Sequence, residues 1–390
     1  MNQGQYVFSQ IIAFLSHNDF IRYVKKYQGN YKVRTLTCWH QFLYMVFGQL
    51  SRRESLSDLV ICLHSQRNKS YHLGMGKGAS KAALAKANEN RDYRIYEAFA
   101  RELISQAQRL SVDAEGLQLS VDAPVYAIDA TVVDLCLSVF WWGKFRKHKA
   151  AAKIHAMLDV KTHIPTFIDV TSGAVHEVNM LDIISFEAGS YYTMDKAYID
   201  FGRLYFIHQC DAFYVTRARE NFKFVRIKSL PADKSVGIIC DQVIRLKNQK
   251  VSMAYPDHLR RIKYLDEENQ TEFVFITNDF EIDAIDVARI YQYRWTIELF
   301  FKWVKQHLKI KTFWGHSLNA VRTQVYIAII TYLLVAIIKH TLKLKQSQYE
   351  ILQVLSISLL CKTPLSELFE IDYPQYVKEQ ESNQLNLFNL

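Results

Sequence analysis

The chain has 390 residues, a mass of 45.6 kDa and 49% hydrophobic residues, enough for a sizeable core and more than one typical compact unit holds, so two or three domains are expected. A formal net charge of +9 with a pI near 9.0 favours polyanions without singling out DNA, since an anionic membrane or a basic solvated face would carry the same excess. The 23 Tyr and 23 Phe exclude a disordered basic chain, and six dispersed cysteines fit neither a Cys-pair zinc ribbon nor a disulfide scaffold.

The first residues, MNQGQYVFSQIIAFLSHNDFIRYVKKY, lack the basic start, apolar run and cleavage site of a secretion signal. Helical periodicity follows at Trp39 to Leu50, Glu54 to Leu63 and Tyr93 to Ala107, with Ser51 as a cap for the second. These helices, within residues 1–115, suit either a helix-turn-helix-like DNA reader or a helical packing or dimerisation domain. Gly74, Gly76 and Gly78 do not follow the Gly-x4-Gly-Lys-Ser/Thr order of a phosphate loop, so LGMGKGAS is read as a turn, with Ser80 starting a helix through AALAKA.

From Val125 the pattern turns to strands: VYAIDATVVDL, AKIHAMLDV and PTFIDVTSG, then helical periodicity from Asn179 to Glu187. YYTMDKAYID ends a short β segment at Asp195, Phe201 to Gln209 reads as a helix, and Asp211 to Glu220 supplies another strand. That order predicts a mixed α/β sheet. The pieces FKFVRI, VGIICDQVIRL and EFVFITN, within about 221–281, read as a β-rich insertion whose strands need not all join that sheet. Apolar helices dominate beyond Gly315, and EQESNQLNLFNL reads as a marginally ordered tail. The most apolar run, residues 325–338, falls short of the roughly 20 residues of a membrane span, so a buried core helix, no membrane partner and a cytoplasmic protein are expected.

Between Arg289 and Lys311 there are six Lys or Arg residues and one acid, Glu298. Read as one helix from Tyr291 to Lys311, the segment puts Tyr291, Arg294, Glu298 and Lys305 on one stripe with Lys302 and Lys309 near it, while apolar residues cover much of the rest. A carboxylate there needs a cation or a metal to offset its desolvation. Glu298 is therefore either a structural partner of Arg294 or part of a larger acid set. Asp129 interrupts an apolar strand and Asp195 ends another. Each is read as a strand-end cap, a salt-bridge partner or a chemical group. If all three converge, their hard oxygen ligands suit two magnesium or manganese ions, with the basic stripe left for phosphates. A second cluster, KFRKHKAAAK, brings Lys144, Arg146, Lys147, Lys149 and Lys153 together without an acid, directly after Trp141 and Trp142. Its charges suit DNA contact or a solvated face, and its tryptophans suit base stacking or core cover.

With these residues in view, the chain resembles the DDE transposases of bacterial insertion sequences, in the insertion-sequence-four family. The match is carried by Tyr291-x2-Arg294-x3-Glu298-x6-Lys305, the Tyr-Arg-Glu-Lys signature, and extends through VYAIDAT, KHKAAAKIHAMLDV, PTFIDVTSGAVHEV and MDKAYID over most of residues 120–340. Lys196-Ala197-Tyr198 stands where the family more often has Arg-Gly-Tyr.

The resemblance implies an α/β, ribonuclease-H-like mixed-sheet core at 116–314 interrupted by a β-rich insertion. It also implies a transposon-end-binding helical domain at 1–115 and a packing or dimerising helical region at 315–390. Asp129, Asp195 and Glu298 would hold two divalent cations, Mg2+ or Mn2+. Tyr291, Arg294, Lys305, Lys302, Lys309, Lys144, Arg146, Lys147 and Lys149 would meet DNA. Water attack at terminal inverted repeats would be followed by joining of the 3′ hydroxyls to target DNA, by a cut-and-paste route within a homodimer at the nucleoid. The alternatives are an endonuclease without strand transfer and a catalytically silent DNA-binding derivative.

Overall fold

Serine and threonine caps set half of the α-helix starts in the computed structural model, which describes residues 4–111, 117, 119, 120, 122–135, 140, 142, 144–146, 149–308, 310 and 313–370. The N-terminal helices are α1 (Val7–Ile12), α2 (His17–Lys26), α3 (Cys38–Leu50), α4 (Leu56–Ser65), α5 (Lys81–Asn90) and α6 (Arg94–Leu110). Ser16, Thr37, Ser55 and Ser80 each accept the N3 amide of the helix that follows, a contact of about 1 kcal/mol apiece. The cap of α4 is thus Ser55. Ser51, expected in that role, instead ends α3, where its hydroxyl donates to the Phe47 carbonyl. Gly74, Gly76 and Gly78 all have positive φ, the conformation of the expected turn.

The strands are β1 (Val125–Leu135), β2 (Lys144–Arg146), β3 (Lys149–Asp159), β4 (Pro165–Ser172), β5 (Tyr191–Met194), β6 (Phe213–Arg217), β7 (Phe224–Leu230), β8 (Ile238–Leu246), β9 (Leu259–Asp266) and β10 (Thr271–Thr277). Helices α7 (Phe201–Gln209) and α8 (Gln249–Ala254) lie between them. After β10 come α9 (Ala284–Tyr293), α10 (Trp295–His307), α11 (Leu318–Thr341) and α12 (Gln348–Ser358). Among the described residues all ten strands join one sheet, β2-β3-β1-β5-β6-β10-β9-β8-β7, with β4 also on β3. The first five core strands therefore stand in the order β4-β3-β1-β5-β6, antiparallel among β4, β3 and β1 and parallel among β1, β5 and β6. This mixed sheet between two helical ends is the expected ribonuclease-H-like arrangement.

The insertion strands, whose joining of the sheet the sequence leaves open, do join it: β10 pairs antiparallel with β6, so β7 to β10 lengthen the central sheet. One of them, β9, reads poorly as a strand because Arg260, Arg261 and Lys263 interrupt it. From Asn179 to Glu187 the helix is replaced by a short 3-10 turn at Glu177–Asp182. There the polar residues serve tertiary bonds instead, with Arg203 holding both carboxylate oxygens of Asp182 at 2.7 Å.

One face of the sheet buries Ala127, Ile154, Ala156 and Val170 under α9, α10 and α11, in a core continuous with the N-terminal helices. The other buries Ile128, Met157, Tyr192 and Met194 with α7. Helix α11 carries the most apolar run and extends to 24 residues, long and apolar enough to cross a membrane, yet 94% of its most apolar window is buried within the protein. The first described helix joins the segment after α12 in the same core: the Val7 and Phe8 amides donate to the Cys361 and Leu359 carbonyls at 2.9 and 3.0 Å. Gly48 of α3 lets Trp314 approach so closely that a Cβ there would lie 2.5 Å from the indole, and Trp314 Nε1 donates to the Glu54 carbonyl. The N-terminal helices are thereby fastened to the chain just beyond α10. The C-terminal tail at 371–390 lies outside the described residues.

Candidate functional site

The parallel register of β1 and β5 opposes Ile128 to Met194, both on the α7 face. Because side chains alternate along a strand, the next residue on each, Asp129 and Asp195, turns to the opposite face at the same level. Helix α10 packs across β1 and β3 and brings Glu298 toward Asp129, with Arg294 between them.

Arg294 joins the acids. Its Nη2 lies 2.6 Å from Glu298 Oε1 and its Nη1 lies 3.6 Å from Asp129 Oδ2. The guanidinium is only 14% exposed and stands over the Tyr291 ring, 5.5 Å from its centre, while that ring packs on Phe275 at 5.0 Å. The structural pairing of Glu298 with Arg294 expected from the sequence is thus present, and the same guanidinium also reaches toward Asp129.

The signature does not lie on one continuous helix. The chain turns at Arg294, between α9 and α10: Thr296 Oγ1 donates to the Tyr293 carbonyl at 2.8 Å, and the Ile297 amide bonds the Arg294 carbonyl, three residues back. Helix α10 then ends at His307, short of Lys311. Tyr291, expected to meet DNA directly, is buried, and burial raises its hydroxyl above the ordinary range. Its place is beneath the guanidinium.

The electrostatics are those of an under-compensated anion. Burial pushes the Asp129 carboxyl up to about 7, against the opposing pull of Arg294 and of the Ala130 amide, while Glu298 and Glu177 add negative charge nearby. Burial works against the charge of Arg294, but Tyr291, Glu298 and Asp129 together hold it above its ordinary range. One guanidinium therefore serves two carboxylates, Asp129 and Glu298. Their oxygens are the donor set preferred by a hard divalent ion, so the residues fit such an ion. As they stand, no three Asp, Glu, His or Cys side chains among the described residues are grouped closely enough to hold one, and the guanidinium lies between Asp129 and Glu298.

The other basic residues separate into groups. Lys302 faces solvent on α10 and Lys305 is half-buried a turn further on. Lys144, Arg146 and Lys149 belong to the β2–β3 hairpin, next to the end of β1, roughly 20 Å along the strand from Asp129. Lys147 and Lys309 lie outside the described residues. Lys153 leaves the cationic cluster altogether: it is 6% exposed, its Nζ is 3.2 Å from Glu177 Oε1, and it donates to the Val175 carbonyl. Trp142 covers the core, donating from Nε1 to the His316 carbonyl at 2.7 Å. Glu177, close enough to act on Asp129, reads in the sequence with His176 either as a group near a phosphate path or as an ordinary polar turn. The signal for its partner was a lysine inside the apolar strand AAAKIHAM.

Comparison with known proteins agrees with this geometry. A family model described as Transposase DDE domain matches residues 121–334, and one described as a domain of unknown function (DUF4372) matches residues 3–76. The chain is 30% identical over 295 residues to the Putative transposase y4zB of Sinorhizobium fredii, covering 75% of this chain and 80% of that protein. It is 26% identical over 213 residues to the Probable transposase for insertion sequence element IS5377 of Geobacillus stearothermophilus, covering 54% of this chain and 55% of that one. Against the Putative transposase for insertion sequence element IS4SA of Synechocystis it is 24% identical over 274 residues, 67% of this chain and 73% of the relative. A DDE-domain match over more than half the chain, on a sheet that sets two aspartates side by side beneath a glutamate-bearing helix, makes this chain a member of the DDE transposases, divalent-metal-dependent enzymes that act on DNA.

Proposed function

We propose that Asp129, Asp195 and Glu298 are the acid triad of this transposase and hold two divalent cations, Mg2+ with Mn2+ able to substitute. The observation that carries the reading is the β1–β5 register, which puts Asp129 and Asp195 each one residue past the paired Ile128 and Met194, with Glu298 joined to Asp129 through Arg294. Bound ions of this kind supply activation of water and stabilisation of a departing 3′ oxygen. The protein's share is to fix the carboxylates on a rigid sheet and to exclude bulk water, which the burial of Asp129 already begins.

Arg294 suits bidentate contact with a phosphate, and Tyr291 fixes its plane from below. Lys302 and Lys305 extend the cationic side of α10, the β2–β3 hairpin carries Lys144, Arg146 and Lys149, and together with Lys147 and Lys309 these are the proposed DNA contacts. On this reading the enzyme cuts terminal inverted repeats by water attack and joins the liberated 3′ hydroxyls to target DNA, as a homodimer and by a cut-and-paste route. Residues 1–115 recognise the ends, and 315–390 pack or dimerise.

The test uses the full-length protein, Mg2+ and DNA carrying the inverted repeats that flank its coding region. Cut ends that become joined to a second DNA support the reading. Cut ends that accumulate unjoined favour an endonuclease, and tight end binding without cleavage by folded protein favours a silent DNA-binding derivative.

A further inference from the structure

We infer that Arg294 is a built-in counter-cation, which clamps Asp129 and Glu298 in the metal-free protein and must release at least one of them before divalent ions enter. This rests on the acid-triad reading above and adds a competition between the side chain and the ions. The guanidinium bridges the two carboxylates that the ions would need, one through Nη1 and the other through Nη2. Its third donor, Nε, is buried with no hydrogen-bond partner, so the arginine is not locked on all sides. Asp241–Arg260 shows what locking looks like: there Nε and Nη2 both reach the carboxylate and Nη1 is held by the Ile282 carbonyl.

The bridge also explains why the three acids form no ready cation site: Glu298 is drawn to the guanidinium. Two divalent ions would bring four positive charges to the place where one now resides. An arginine left between them would be repelled, while the carboxylates would lose their need of it. Arg294 sits at the junction of α9 and α10 with helical backbone dihedrals, φ −53° and ψ −29°, so the release is a side-chain movement. Once released, the guanidinium is free to take a DNA phosphate in the bidentate geometry it now gives to carboxylates. Metal loading and the unmasking of a phosphate-binding group are then one coupled event, with Arg294 as a positioning residue.

The experiment measures Mn2+ binding to the full-length chain, without DNA, by electron paramagnetic resonance for wild type, R294Q, R294K and D129N. Wild type binds Mn2+ and D129N loses it. R294Q binds about tenfold more tightly than wild type, within the usual range of coupling between competing ligands, and R294K falls between them. A merely structural arginine gives the opposite sign, so R294Q that folds and binds Mn2+ equally or more weakly overturns the inference while leaving the acid triad standing. A wild type that binds no Mn2+, or D129N that binds it undiminished, overturns the triad reading and this inference with it. Should R294Q fail to fold, the Arg294 Nε–H signal of the wild type, assigned by its loss in R294K, decides. It shifts as Mg2+ saturates the protein, and an unmoved signal overturns the clamp.

Discussion

Two acid–arginine groups lie inside this sheet, and they are built to opposite ends. In the insertion, Asp241 of β8 and Arg260 of β9 are 2% and 6% exposed at their side chains, joined by contacts of 2.7 to 3.2 Å, with the remaining guanidinium nitrogen on the Ile282 carbonyl. Charge balances one to one and each guanidinium nitrogen has a partner. At the candidate site a single guanidinium answers Asp129 loosely at 3.6 Å and Glu298 closely at 2.6 Å, with Nε unpartnered. The first group fastens the insertion to the chain leading into α9. The second holds negative charge in excess of what the protein neutralises, and an excess buried on a rigid sheet is what a cation-dependent centre requires.

The sharpest way to separate the two is to remove one carboxylate charge from each. D129N should abolish strand cleavage, by about 1,000-fold or more, while circular dichroism and DNA-end binding stay near wild type. Retained cleavage would remove Asp129 from the chemistry. D241A leaves Arg260 buried and unanswered, and should cost roughly 3–5 kcal/mol of stability in chemical denaturation. Cleavage per folded molecule should be unchanged. Replacing both partners, D241L with R260M, should recover most of that loss, because no uncompensated charge remains. If the double variant is as unstable as D241A, the charge balance of the pair is not what stabilises the insertion.

Titration gives a smaller but signed contrast. Burial raises the Asp129 carboxyl to about 7, above its unfolded value near 3.9. A raised carboxyl binds its proton more readily in the folded protein, so it contributes stability at low pH that is lost as pH climbs from about 4 through about 7. Measured without divalent ions, wild type should therefore lose on the order of 2–4 kcal/mol relative to D129N across that window. A difference between the two proteins that stays flat from pH 4 to 7 would show that Arg294 neutralises Asp129 fully, and the distinction from the Asp241 pair would collapse.

The comparison also explains what could be read before the fold was known. Asp129 was legible because an apolar strand rarely carries an acid, and Glu298 because it is alone among six cations. The strands of the core followed from alternation, and β1 and α7 match their sequence bounds. Tertiary pairing hid the rest. Arg260 made β9 look too charged for a strand until Asp241 answered it, and Lys153 looked like one more surface cation until Glu177 did. The turn at Arg294 depends on a Thr296 hydroxyl taking a backbone carbonyl, a choice that periodicity does not register. Ser51 and Ser55 are both good caps, and only the path of the chain between α3 and α4 decides that the second one caps α4.

Lys302 supplies the smallest effect and the cleanest control, because it lies one turn beyond Glu298 on α10 yet faces solvent. A cation in that position has nothing buried to neutralise, so K302A should change stability by less than about 0.5 kcal/mol. If it contacts a phosphate, its loss weakens binding to every DNA sequence by a similar few-fold factor. The slope of log affinity against log salt should fall by about 0.9, one phosphate's share. Fluorescence anisotropy with end DNA and with unrelated DNA, each across a salt series, measures both quantities. An unchanged slope removes Lys302 from the DNA path. A loss confined to end DNA would give it a role in sequence reading, which a flexible ammonium at the surface of α10 is poorly shaped to perform.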